Sequence, residues 1–192
     1  HVPGQIPLNI SEMDPDVYIA ACHKWLCAPK GSSFLYVRKS YQIKVKPLVV
    51  SWGSEGTDPS GSPFLLENQW QGTRDMSAFL TVPAAIEFQK KNNWDKLTVR
   101  CRHLVRETRE RLDEYFILNH LCPNTEEWIG QMASVELPIE EPEKFKIALM
   151  KKYSIEVPVF LWKDKIFLRY SFNVYNSQQD AELLVYALRK LV

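Results

Sequence analysis

The chain has 192 residues, is 45% hydrophobic and 12% aromatic, and carries 24 basic against 23 acidic residues. That length can bury a sizeable core as one domain or two small ones. Balanced charge supplies no global field toward nucleic acid or anionic lipid, and apolar runs such as "PLVVSW" fall well short of a membrane span.

Four cysteines, Cys22, Cys27, Cys101 and Cys122, make no dense disulfide framework, which predicts a reducing, cytoplasmic compartment. The N-terminus lacks the charged start and apolar core of a signal peptide. Because "HVPGQIPLNI" opens on His1, the sequence is expected to be incomplete or cut at that end.

In chain order, Ser11 is a candidate helix N-cap, with Glu12 and Asp14 favouring a first turn. "DVYIAACHKWL" is mostly apolar and predicts a buried strand running into a loop punctuated by Pro29 and Gly31. "SFLYVRK", residues 33–39, predicts a short strand. The Gly/Pro/Ser-rich residues 53–63 predict a flexible surface loop. A helix is expected from about Ser77, with Phe79, Val82, Ile86 and Phe88 on its apolar positions. A longer one is expected from Trp94 to Phe116, where Leu97, Cys101, Leu104, Val105, Thr108 and Leu112 recur at helical spacing. Its "RETRERLDE" face predicts a solvated charge pattern. Then follow a strand over 131–137, a helix over 143–153, two strands over 156–161 and 165–171 forming a hairpin about Asp164, and a helix over 177–191. The order is α/β first, then a compact α+β unit, with a boundary expected between 1–93 and 94–192.

Three places carry candidate chemistry. Lys24 lies in an apolar run; burial there would disfavour its charged form and make the amine a nucleophile able to form Schiff bases. The alternative is a strand-end lysine whose ammonium reaches water. Its neighbours Cys22, His23 and Cys27 fit no closed zinc spacing, so no metal site is expected. In "QWQGTRD", Gly72 permits a tight turn with open N–H groups, Thr73 adds a hydroxyl and Arg74 a charge, a plausible anion contact. The alternative is a plain turn before the next helix, capped by Asp75 or Ser77. Arg169, in "IFLRYSFNVYN", ends an apolar strand; its planar fork suits a carboxylate, either of a substrate or of a structural ion pair.

"HVPGQIPLNISEMDPDVYIAACHKWLCAPKGSSFLYV", "QGTRD" and "FLRYSFNVYNSQQDAELLVYALRKL" together resemble the class V, fold-type I pyridoxal-phosphate enzymes. The isopenicillin N epimerase-like branch, where "HKWL.APKG" and "W.GTRD" occur together, is the near match, and the resemblance runs almost from end to end. It implies that residues 1–93 are the later part of a large cofactor-binding α/β domain with a mixed or parallel sheet. Residues 94–192 would then be a connecting helix and small α+β domain. It also implies pyridoxal 5′-phosphate as cofactor, with Lys24 as the internal-aldimine lysine and the base at the substrate Cα. Lys30 is the rival lysine, but it lies beyond a proline and does not match the family pattern.

By the same resemblance His23 contacts the cofactor phosphate, His1 approaches the pyridoxal 3′-oxygen, and Arg169 clamps the carboxylate of an amino-acid substrate. Thr73 with the Gly72 backbone contacts the phosphate held by a partner subunit, implying a homodimer with shared sites. Ala21 stands where the family often has a small polar residue. The acid that pairs with the pyridinium lies upstream of the position of His1 in the family. An N-terminal half is therefore expected to complete the site, and the isolated chain is expected to bind the cofactor weakly or not at all. Related cysteine desulfurases place a reactive cysteine shortly before the position of Arg169; "YSIEVPVFLWKDKIFL" has none. Epimerase, C–S lyase and aminotransferase outcomes stay open, and so does a non-catalytic remnant kept as a dimerisation or binding module.

Overall fold

The computed structural model describes residues 1–56 and 61–192. These form two compact units, His1–Asn92 and Asn93–Val192.

The first unit opens with a one-turn helix, α1 (Ile10–Met13). Its N-cap is Asn9, not Ser11: Asn9 has extended backbone, and its side chain accepts from the Glu12 N–H. The helix thus starts two residues earlier than the serine suggested, as a short carboxamide on extended backbone reaches the third helical N–H. Strands β1 (Val17–Ala21) and β2 (Ser33–Val37) pair antiparallel, Val17 opposite Val37 and Ala21 opposite Ser33. The expected burial of β1 is not met. Only Ala20 is buried, and Ile19 is 71% exposed.

Beyond β2 the chain makes two short 3-10 segments, Lys39–Lys44 and Trp52–Ser54, and the helices α2 (Pro63–Gln69), α3 (Ser77–Leu80) and α4 (Val82–Lys91). The stretch read as a flexible surface loop contains structure at both ends, and its residues 57–60 lie outside the described residues. Gly53 is buried, and a Cβ there would stand 2.2 Å from the Leu66 carbonyl oxygen, so only glycine fits beneath α2. Helix α2 has a signal that the Gly/Ser content hid: Ser62 accepts the Leu65 N–H and Pro63 begins the first turn.

In the second unit a three-stranded antiparallel sheet, ordered β3 (Met132–Leu137), β5 (Lys165–Ser171), β4 (Val159–Trp162), packs with α5 (Trp94–Asp113), α6 (Pro142–Tyr153) and α7 (Gln178–Leu191). Alternation decides which face is covered. Ala133, Val135 and Leu137 stand opposite Tyr170, Leu168 and Ile166 and join one core with Leu104, Val105, Leu149, Leu184 and Leu188. The other face carries Phe167, flanked by the Phe160 and Trp162 rings, and then Arg169. The hairpin about Asp164 forms, with Trp162 opposite Lys165, and α7 opens with a Ser177–Asp180 capping box.

One expectation for α5 fails. Arg109, assigned to a solvated face, is 2% exposed. Its Nε donates to His120 Nδ1 at 3.0 Å, and its guanidinium reaches the Cys122 carbonyl and sulfur. His120 Nε2 in turn meets Asp113 Oδ1 at 2.6 Å. A buried guanidinium requires such partners; they come from the turn after α5, where helical periodicity says nothing.

Candidate active site

The connection from β1 to β2 carries the lysine. Cys22 extends the ladder by donating its N–H to the Ser32 carbonyl, then the Cys27 N–H closes on the Lys24 carbonyl and the Ala28 N–H on the Cys22 carbonyl. Cys27 holds φ 63 in this tight turn. His23 and Lys24 are thereby turned out to solvent while Trp25 points inward and is buried. Among the described residues Lys24 thus reaches solvent, as in the strand-end alternative to an apolar setting. The hydrophobic neighbours in sequence are turned to the other side of the loop.

What faces Lys24 is a histidine from the start of the chain. Lys24 Nζ lies 2.7 Å from His1 Nε2, and the buried Trp25 indole donates from Nε1 to His1 Nδ1 at 3.1 Å. The histidine is held from behind by Gln5, whose Nε2 donates to the His1 carbonyl at 2.9 Å. Gly4, at φ 82, passes so close to the Trp25 carbonyl that a Cβ would lie 2.4 Å from its oxygen. That carbonyl also accepts from Gln89 Nε2 of α4 at 2.8 Å. The turn at 1–5, the loop at 22–28 and α4 thus converge on Trp25.

Gly72 has φ 92, in the range glycine alone enters without strain, and its neighbour Thr73 is exposed with no side-chain partner among the described residues. Arg74 does not offer a free charge: it donates to Gln71 Oε1 at 2.6 Å and lies 4.8 Å over the Phe79 ring. Asp75 accepts the Ser77 N–H at 2.8 Å, which holds its carboxyl below the usual range. The N-cap of α3 is Met76 rather than Asp75 or Ser77, although Asp75 does take the Ser77 N–H; Gly72 and Thr73 remain open beside it.

In the second unit Arg169 is half-exposed on the sheet face away from the helices, across from Ser134. No carboxylate pairs with it among the described residues, so the structural ion pair weighed for it is not formed there. His23 likewise has no partner among the described residues. Burial pushes the Cys22 thiol up, partly offset by the Ser32 hydroxyl, which leaves it protonated at neutral pH and unsuited to nucleophilic work. Trp25, Gln5 and Gln89 carry no signal in the sequence; their hydrogen bonds reveal them.

Comparison with known proteins places these features in context. The family described as aminotransferase class-V matches residues 3–184. An isopenicillin N epimerase from Amycolatopsis lactamdurans is 34% identical over 199 residues, covering 98% of this chain and 50% of the relative. A probable chloroplastic L-cysteine desulfhydrase from Arabidopsis thaliana is 31% identical over 212 residues, covering 100% of this chain and 43% of the relative. The apo structure of a cysteine desulfurase from Thermococcus onnurineus superposes with a TM-score of 0.80 at 21% identity, over 99% of this chain and 50% of that one. The chain spans about half the length of the curated relatives it matches.

Proposed function

The chain belongs to the class-V aminotransferase family, and from that premise we propose that it is the Lys24-bearing portion of a pyridoxal-phosphate enzyme acting on an amino acid in the manner of isopenicillin N epimerase. The observation that carries this reading is the meeting of Lys24 Nζ with His1 Nε2 at 2.7 Å, brought together from 23 residues apart.

The donor set fits a phosphorylated aromatic aldehyde. A primary amine stands open to solvent with an imidazole beside it. His23, the Thr73 hydroxyl and the turn at Gly72 have hydrogen-bonding capacity unspent among the described residues. Lys24 would anchor the cofactor and His1 would face its ring oxygen. His23 would hold its phosphate, and Gly72 with Thr73 the phosphate bound to a second copy in a homodimer. Once bound, the cofactor supplies an electron sink for charge developing at the substrate Cα. The Lys24 amine would take and return the proton at the substrate Cα. Arg169 would grip the substrate carboxylate with two parallel N–H donors, which fixes the Cα–H bond relative to the base. Its lack of an acidic partner within the described chain supports that role. Residues contributed by an N-terminal half complete the site in this reading.

A C–S lyase acting on cysteine or cystine is the second reading, favoured by the 31% identity to the desulfhydrase. Desulfurase chemistry through a loop cysteine is disfavoured, because residues 153–168 contain no cysteine. The test uses the whole natural polypeptide that contains this sequence. Borohydride reduction in the presence of pyridoxal phosphate, followed by peptide mapping, should fix the cofactor on Lys24, and Lys24→Ala should abolish the label. Label on Lys30, or on no lysine, would refute the assignment. Deuterium exchange at Cα without pyruvate release then identifies an epimerase, and pyruvate release a lyase.

A further inference from the structure

His1 has two ring nitrogens, and the structure gives each a different partner. Trp25 Nε1–H can only donate, so the nitrogen it meets, Nδ1, must present a lone pair. In a neutral imidazole the single ring proton then sits on Nε2, the atom 2.7 Å from Lys24 Nζ. In that direction the histidine donates to Lys24 as the neutral amine, the form that attacks a carbonyl, because an ammonium has no lone pair to accept with. From this chain of donors we infer that Trp25 is a positioning residue: its indole N–H selects the Nε2–H tautomer of His1 and so aims that proton at Lys24 Nζ.

The placement of Trp25 supports the assignment. The indole is buried, unlike His1 and Lys24. Its backbone carbonyl takes the Gln89 carboxamide and lies against Gly4, so the backbone that carries the ring is pinned to α4 and to the turn at 1–5. The His1 backbone is separately fixed by Gln5. With the indole N–H removed, nothing among the described residues discriminates between the two tautomers. The Nδ1–H form would turn an acceptor toward the lysine, leaving an amine lone pair without its donor.

The tautomer needs no cofactor, whereas its consequence for the reactivity of Lys24 rests on the reading of Lys24 as the cofactor lysine. The natural polypeptide, labelled with 15N-histidine and free of cofactor, is examined by long-range 1H–15N correlation above the ordinary titration range of imidazole and up into that of lysine, where the amine form is present. His1 should give a pyridine-type Nδ1 and a pyrrole-type Nε2 signal. In Trp25→Phe both nitrogens should move toward averaged positions. Replacing Trp25 by benzothienylalanine, which keeps the ring shape and lacks the N–H, should do the same if the phenylalanine variant fails to fold. Either N–H-free variant should also slow borohydride-fixed capture of pyridoxal phosphate at Lys24 several-fold. A wild-type Nδ1–H tautomer, or an unchanged Nε2–H tautomer in either variant, overturns the inference. Absence of label on wild-type Lys24 with the expected tautomer shifts refutes instead the cofactor reading and leaves the positioning role standing.

Discussion

Substituting Gly4 by alanine tests whether the turn at 1–5 is built against Trp25. Two costs enter. The first is conformational: at φ 82 an alanine is strained by about 1–3 kcal/mol. The second is spatial. The new Cβ would lie 2.4 Å from the Trp25 carbonyl oxygen, and ordinary contact needs a separation larger by about 1 Å. The obstacle is backbone, so no rotamer relieves it. If the Trp25–Leu26 peptide yields, its 2.8 Å hydrogen bond from Gln89 lengthens past useful range and leaves a buried carboxamide unsatisfied, which costs about 1–3 kcal/mol. If the turn yields, His1 leaves Lys24. The two relaxations are alternatives and do not add to each other, but either adds to the strain, so the loss is about 2–6 kcal/mol, lowering the urea midpoint by roughly 1–3 M. Gly61→Ala is the control. It has φ 72 and nothing within 4 Å of the added Cβ, so it carries the strain alone. An unfolding midpoint for Gly4→Ala equal to that of Gly61→Ala would show that the close approach to Trp25 does not exist.

Two further outcomes follow from the second unit. Arg109→Met keeps volume but strips His120 Nδ1 and the Cys122 carbonyl of their donor; a loss of about 3 kcal/mol is expected, lowering the melting temperature by roughly 6–12 °C. Arg111→Met, in the same helix but 37% exposed and paired to Glu182 at 3.6 Å, should change it by less than about 2 °C; equal effects from the two would refute the buried network. Lys163 and Asp164 both have positive φ, 48 and 61, in the two-residue turn closed by Trp162 and Lys165. Asp164→Gly keeps the lysine over the Trp162 ring and should raise stability by about 0.5 kcal/mol, read as a small increase in melting temperature. A decrease would mean that the turn has another conformation.

Much of the second unit is legible in the sequence because its signals are local and periodic. Lys165–Ser171 is found at its true limits, α7 starts where Ser177 and Asp180 make a capping box, and α5 follows the apolar spacing from Trp94. Arg109 escaped for the reason that the rest succeeded. Periodicity reports which face a residue is on, and a cation on the edge of that face is buried only because a later turn supplies His120 and Cys122.

The candidate site divides along the same line. Lys24, His1, His23, Gly72, Thr73 and Arg169 are visible because their types at those spacings resemble a family. Among the described residues the turn at Cys27 puts the amine on the surface, away from its apolar neighbours in sequence. What replaces burial is a partner: a ring nitrogen at 2.7 Å whose other nitrogen is committed to an indole. Such an arrangement depends on atoms that are 23 and 24 residues apart and on a glycine with no room for a side chain. Residue type alone cannot carry it, because a tryptophan in an apolar run is ordinarily core and a histidine near a terminus ordinarily solvated. The reason for a lysine at this position therefore lies less in its neighbours in sequence than in the imidazole that faces its nitrogen.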